Sequence, residues 1–286
     1  MRYERPQTLG EATALLAGSG TNALVLAGGT DLLVRMQNDA FEADLVVDIK
    51  SIAGMDAISE TDDGFVIGAA VPSAALSENP ALLAAWPGFV EAANLIGSTQ
   101  IQGRCTVVGN LCNASPAADS VPAMVAAGAR ARVVGPSGSR EVPVQDIPQG
   151  PGRTSLQKGE MIEAVILPKP NPRSADAYLR FIPRTEMDIA VVGVGVNLTL
   201  DDNGTVTDAR VALGAVAPTV LLVDAAAQAL LGSKLDEPAL ETLAAACSAA
   251  ANPIDDKRGT VAFRKHVVGV LARRAAQAAY SRAGGA

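Results

Sequence analysis

Ala23-Leu24-Val25-Leu26-Ala27-Gly28-Gly29-Thr30-Asp31-Leu32 is the stretch on which the reading of this chain turns. Ala23 to Ala27 is an apolar run of strand length, and it ends directly on two glycines. Thr30 or Asp31 then stands where a helix cap is expected, ahead of Leu32 to Gln37, which reads as helical. Two glycines let a backbone take positive φ and approach a ligand closely. The free N–H groups of such a turn, beside a helix N-terminus, suit an anion such as a diphosphate. A plain strand-to-helix turn has the same sequence, and on this motif alone the two readings are level.

Working outward, Thr8 and Glu11 form a capping box ahead of a short helix carrying Ala12, Leu15 and Leu16, and Leu45 to Ile49 reads as a second strand. The opening is therefore a compact helix–strand–helix–strand unit spanning about residues 1–55. Phe65 to Ala69 reads as a strand, and Pro80 to Ile96 as a helix interrupted at Trp86-Pro87-Gly88. Gly97 to Asp119, rich in Gly, Asn, Ser and Pro, reads as one long loop, a kind of segment that is usually functional inside a compact domain. A helix over Val121 to Ala129 and strands over Ala131 to Val134 and Met161 to Leu167 follow.

Pro168-Lys169-Pro170-Asn171-Pro172 resists both helix and sheet and marks a domain boundary, which divides the chain into 1–172 and 173–286. Beyond it, β-type runs over Val191 to Leu200 and Ala209 to Val216 flank the hairpin signal Asp201-Asp202-Asn203-Gly204. Three helices are predicted after them, over Asp224 to Leu231, Pro238 to Ala251 and Thr260 to Ser281. An antiparallel sheet followed by helices is an α+β layout.

Composition narrows the function. The chain has 286 residues, a net charge of −7, no Lys/Arg-rich block and only 3% aromatic residues, a composition that argues against a nucleic-acid partner. Three cysteines, Cys105, Cys112 and Cys247, make a poor disulfide framework and fit a reducing compartment. No CxxC spacing for zinc or an iron–sulfur cluster is present, and the single histidine, His266, excludes two-histidine metal sites. The MRYERPQT start carries no signal-peptide pattern, and the most apolar run, Ile189 to Leu200, holds Asn197 and is too short to span a bilayer. A cytoplasmic protein without a membrane span is expected.

A second motif stands at Thr106-Val107-Val108-Gly109-Asn110, continuing through Cys112 to Asp119. Small residues here let backbone amides face a ligand, and Asp119 has the chemistry to accept from ribose hydroxyls or another donor. A structural loop capped by its own side chains is the competing reading. Gly193-Val194-Gly195 lacks a third glycine, so the dinucleotide fingerprint of the doubly wound fold fails, and the P-loop pattern is absent. Without a histidine to activate it, Cys112 reads as a loop-packing residue rather than a nucleophile.

Taken together, AGGTDLL (Ala27 to Leu33) and QIQGRCTVVGNLCNASPAAD (Gln100 to Asp119) resemble the flavin-binding medium subunit of the molybdenum hydroxylases, the xanthine dehydrogenase and carbon monoxide dehydrogenase family. Further along, Gly159 to Pro168, Arg184-Thr185-Glu186-Met187-Asp188-Ile189-Ala190, Ala209 to Pro218 and Asp255 to Arg264 resemble later segments of the same family in the same order.

The resemblance implies an α+β protein: a two-part FAD-binding domain of the vanillyl-alcohol-oxidase (PCMH) type, with subdomains at about 1–55 and 56–172, then a small domain of antiparallel sheet and helices. It implies that Val25, Leu26, Ala27, Gly28, Gly29, Thr30, Asp31 and Leu32 wrap the FAD diphosphate. Thr106, Val107, Val108, Gly109 and Asn110 would form the second phosphate loop, Asp119 would hold the ribityl or ring side, and Ile162 and Arg180 would lie near the ring. It implies partners too: a large molybdenum-cofactor subunit, a small subunit with [2Fe-2S] clusters, and a dimer of heterotrimers in which this chain's FAD passes electrons to an external acceptor; with the single histidine, His266, far from both motifs, the FAD is expected to be non-covalent. The family loop carries glycine where Val108 and Cys105 stand here. A glycine-only φ would cost Val108 roughly 1–2 kcal/mol, so these positions are expected to be β-like or the loop shifted. Two other readings stand beside this one: a stand-alone flavin reductase of the same fold, and a flavin-free assembly subunit whose support is Val108 and Cys105.

Overall fold

The computed structural model describes residues 1–18, 22–38, 42–184 and 186–285; Thr185, within the Arg184 to Ala190 segment, lies outside them. β1 (Arg2–Glu4), β2 (Ala23–Leu26) and β3 (Leu45–Asp48) form a parallel sheet in the order β1-β3-β2. α1 (Leu9–Gly18) follows β1 and α2 (Leu32–Gln37) follows β2. Thr8 caps α1 by accepting from the Glu11 N–H at 3.2 Å, while the Glu11 carboxylate reaches back to the Gln7 N–H at 2.8 Å. The central strand β3 is buried throughout. The edge strand β2 is not: Val25 is exposed and Ala23 and Leu24 are half-buried, although all three are apolar. Asp31 stands at the head of α2 but makes no capping bond.

The next sheet is antiparallel, in the order β4-β5-β10-β6-β7, built from β4 (Ile58–Thr61), β5 (Gly64–Gly68), β6 (Arg130–Gly135), β7 (Gly138–Pro143) and β10 (Met161–Pro168). A small pair, β8 (Pro148–Gly150) and β9 (Arg153–Thr154), precedes β10. Short helices cover this layer: α3 (Ser73–Ser77), α4 (Pro80–Ala85), α5 (Pro87–Ala93), α6 (Thr99–Gln102), α7 (Val107–Cys112) and α8 (Ser120–Ala126). The break at Trp86 is where Pro87 starts a new helix, since a proline N–H is dispensable in a first turn. The long loop expected over Gly97 to Asp119 instead contains α6 and α7. These short helices do not show apolar periodicity, and their formation rests on packing and on the Thr106 cap.

The remainder is the expected sheet followed by helices. β11 (Ser174–Phe181), β12 (Val192–Leu200), β13 (Val206–Gly214) and β14 (Leu221–Leu222) pair antiparallel in that order. The β12–β13 turn is held by Asp201, whose carboxylate accepts from the N–H groups of Asn203 and Thr205 at 2.8 Å each. α9 (Asp224–Gln228), α10 (Glu237–Ala250) and α11 (Val261–Arg282) complete the chain. Strand β11 was not anticipated, because Asp176 and Arg180 interrupt its apolar pattern. Both turn out to be buried partners of other elements rather than solvent-facing residues.

One core gathers around Trp86, Phe89, Leu111, Met124 and Met161, and a second around Val194, Val196, Leu243 and Val268. They meet where α5 and α8 lie on the β11–β12–β13 sheet. The Asp176 carboxylate, 2% exposed, accepts from the Gly88 and Phe89 N–H groups at 2.8 and 2.7 Å, filling the start of α5. Helix α8 comes so close to β12 that a Cβ at position 195 would lie 2.6 Å from the Pro122 carbonyl oxygen. Gly195 thus serves helix-on-sheet packing, whereas a Cβ at position 193 would meet the Tyr178 hydroxyl of β11 at 2.6 Å. Among the described residues, no helix is long and apolar enough to cross a membrane.

Candidate functional site

A cleft of about 330 Å³ opens where the β2–α2 turn, the segment around α7 and the start of β10 converge. Its volume lies at the lower end of the range for ligand clefts, roughly 300–1,000 Å³. Its walls are mixed: Ile96, Val108, Leu156 and Ile162 are apolar, and the turn at Gly28 to Asp31 supplies backbone.

The two glycines of that turn serve different needs. Gly29 has φ +79°, a conformation that L side chains rarely adopt. Gly28 is required for contact: a Cβ there would lie 1.9 Å from the Arg104 carbonyl oxygen. The β2–α2 turn is therefore pressed against the chain entering α7, and the two motifs form one site. Among the described residues, the N–H groups of Gly28, Gly29 and Thr30 have no hydrogen-bond partner. Three unpaired amides in one cleft are the donor pattern that backbone uses to hold an anion.

Across the cleft, Thr106 caps α7, its hydroxyl accepting from the Gly109 N–H at 2.8 Å. Val108 lies inside α7, 4% exposed, and it is not among the residues with positive φ. The expectation of a β-like or shifted loop at Val108 is thus corrected: an ordinary helical turn accommodates valine without a glycine conformation. Cys105 is also accommodated, buried with its Sγ 2.9 Å from the Ser73 hydroxyl. Burial pushes the Cys105 thiol up and takes that of Cys112 to about 12, which removes thiolate character from both. Asn110 is oriented by Ser120, whose hydroxyl donates to its carboxamide oxygen at 2.7 Å.

Of the residues expected at a site, Val25, Ala27, Gly28, Gly29, Thr30, Asp31, Leu32, Thr106, Val108, Gly109, Asn110 and Ile162 line the cleft. Leu26 and Val107 do not; both are buried in hydrophobic clusters. Asp119 and Arg180 do not line it either. They form a buried ion pair, Oδ2 to Nη1 2.7 Å, and Asp119 also accepts from the Tyr178 hydroxyl at 3.0 Å. Arg180 donates at 2.9 Å to the carbonyl of Leu95, the residue before Ile96 of the cleft wall. Burial outweighs the guanidinium and raises the Asp119 carboxyl to about 6. Sequence reasoning missed Ile96, Cys105, Leu156, Glu160 and Met161 as lining residues. Cys105 stands one residue before the Thr106 motif, and Glu160 and Met161 stand within the family-like segment Gly159 to Pro168, but Ile96 and Leu156 carry no signal.

Residues 1–170 match the family model described as the FAD binding domain in molybdopterin dehydrogenase, and residues 177–279 match that of the CO dehydrogenase flavoprotein C-terminal domain. The chain is 34% identical over 281 residues to the carbon monoxide dehydrogenase medium chain of Afipia carboxidovorans, covering 98% of this chain and 97% of the relative. It is 31% identical over 285 residues to a protein of Escherichia coli named as a putative xanthine dehydrogenase FAD-binding subunit, covering 99% and 97%. Among solved structures, CO dehydrogenase from Oligotropha carboxidovorans superposes with a TM-score of 0.94 at 33% identity, covering 99% of this chain and 98% of that one.

Proposed function

The chain belongs to the family of FAD-binding medium chains of molybdopterin-containing dehydrogenases, and from that membership we propose that it is the electron-transfer subunit of such a complex. Its partners are a large molybdenum-cofactor subunit, which acts on the organic substrate, and a small subunit whose [2Fe-2S] clusters deliver electrons. The assembly is a dimer of heterotrimers in the cytoplasm. Residues 1–172 bind FAD and residues 173–286 form the second domain of the subunit.

The observation that carries this reading is the set of unpaired N–H groups at Gly28, Gly29 and Thr30, held in one cleft with α7. This donor set fits the FAD diphosphate, and Ile96, Leu156 and Ile162 fit an apolar ring. The bound flavin supplies two-electron uptake and release to an external acceptor. The chain's residues bind and orient it: Val25 to Leu32 and Thr106 to Asn110 embrace the diphosphate, and Asp119 with Arg180 fixes the wall at Ile96. His266 lies on α11, outside the cleft, and the flavin is held without a covalent bond. The stand-alone reductase alternative needs an acid or base of its own in the cleft. Two carboxylates line it: Asp31, which burial raises above the usual aspartate range, and Glu160, which is engaged by Arg140 and by the Gln157 N–H.

The test is the visible absorption spectrum of the purified chain, followed by heat release of any chromophore. A two-banded flavin spectrum with free FAD recovered supports the reading, and capture of molybdenum and iron–sulfur partners extends it. A chain that holds no flavin even after FAD is added, alone and in its complex, overturns it.

A further inference from the structure

At the end of β2 the Lys50 ammonium donates to the Ala27 carbonyl at 3.1 Å. This is the last carbonyl before Gly28, just beyond the final β2–β3 pairing of Leu26 with Asp48. Lys50 is itself held: its Nζ lies 2.7 Å from the Asp48 carboxylate, whose other oxygen accepts from the Tyr3 hydroxyl at 2.6 Å. Asp48 also accepts from the Lys50 N–H at 3.1 Å and is 4% exposed. Three strands of the first sheet therefore converge, through side chains, on a single peptide of the cleft. Because the peptide is planar and trans, its carbonyl and N–H point in opposite directions. Fixing the Ala27 oxygen on Lys50 turns the unpaired Gly28 N–H to the other side.

We propose that Lys50, anchored by Asp48 and Tyr3, is a positioning residue of the cofactor cleft: by holding the Ala27 carbonyl it presets the Gly28 N–H for the diphosphate of the bound dinucleotide. This rests on the FAD reading given above. Lys50 does not line the cleft, so its effect reaches the ligand through the Ala27–Gly28 peptide. A preset amide binds an anion without the ordering cost that a free peptide would meet.

The test uses the full chain, freed of flavin, as wild type, Lys50→Met and Lys50→Arg. Affinity for FAD is read by fluorescence titration, competition by ADP and by adenosine is compared, and the unfolding midpoint of each flavin-free chain is recorded. Lys50→Met is expected to weaken FAD and ADP by about tenfold, the worth of one well-aligned hydrogen bond to a charged group. Adenosine, which has no diphosphate, changes little, and Lys50→Arg restores FAD affinity to within about threefold because a guanidinium still reaches the carbonyl. If Lys50→Met binds FAD like wild type, or weakens ADP and adenosine equally in step with a lowered unfolding midpoint, the positioning role is overturned and the FAD reading stands. A wild-type chain that binds neither FAD nor ADP overturns both.

Discussion

Gly28 packs its bare Cα against the carbonyl of Arg104, 76 positions away, and through this contact the two motifs become the two sides of one cleft. A Cβ at position 28 would stand 1.9 Å from that oxygen, a distance no rotamer change relieves because both groups are backbone. Gly28→Ala is expected to push the segments apart, at roughly 1–3 kcal/mol by analogy with overpacked cores. The purified variant should show a lower unfolding midpoint and a reduced ratio of flavin to protein absorbance. An unchanged ratio would separate the contact from flavin binding.

The Asp119–Arg180 pair is buried on both sides, with side chains 10% and 6% exposed. Removing one partner leaves an uncompensated charge in the interior. Arg180→Met should therefore destabilise the chain by roughly 3–5 kcal/mol in denaturant unfolding. Tyr178→Phe, which deletes one hydrogen bond to the same carboxylate, should cost about 1 kcal/mol. The combined Asp119→Asn, Arg180→Met variant should recover part of the first loss, and an additive result would mean that the two side chains do not interact.

Burial raises the carboxyls of both Asp119 and Asp176 to about 6, above the range of an exposed aspartate in the unfolded chain. Between these values the folded chain binds more protons than the unfolded chain. The contribution of these two groups to stability therefore falls as pH rises from about 4 to about 6 and is flat above it. Carbon-13 titration of the aspartate carboxyls should show two that protonate near 6. Asp176→Asn should remove one of them and shift the pH dependence of unfolding accordingly; two ordinary titrations near 4 would contradict the burial argument.

Val108→Gly, the change that restores the family's glycine, is expected not to improve flavin binding. In this structure Val108 is helical and 4% exposed, so the glycine loses helix propensity and a buried side chain together. The cost is roughly 2–3 kcal/mol from these two terms. Flavin affinity measured by titration should stay equal or fall, and a marked rise would show that valine distorts the loop.

The candidate site was partly legible because its residues carry local chemistry. Gly28 and Gly29 announce an unusual turn, and Thr106 announces a cap for α7, each within a few positions of sequence. Val108 was misread for the same reason: judged by the family's glycine it implied strain, whereas its surroundings form a helical turn that valine enters freely. Ile96 and Leu156 gave no signal, because an apolar residue in a cleft wall and one in a core look alike in sequence.

By itself the sequence determined much of the element order: the helix–strand–helix–strand opening, the hairpin of β12 and β13, and the three closing helices follow from apolar period, caps and turn residues acting over a few neighbours. Tertiary structure alone decided which of these elements touch. The contact of Gly28 with Arg104, the burial of Asp119 with Arg180 and the reach of Lys50 to Ala27 join residues between 23 and 76 positions apart. Such pairings depend on how sheets and helices pack in three dimensions, a relation that no local pattern encodes.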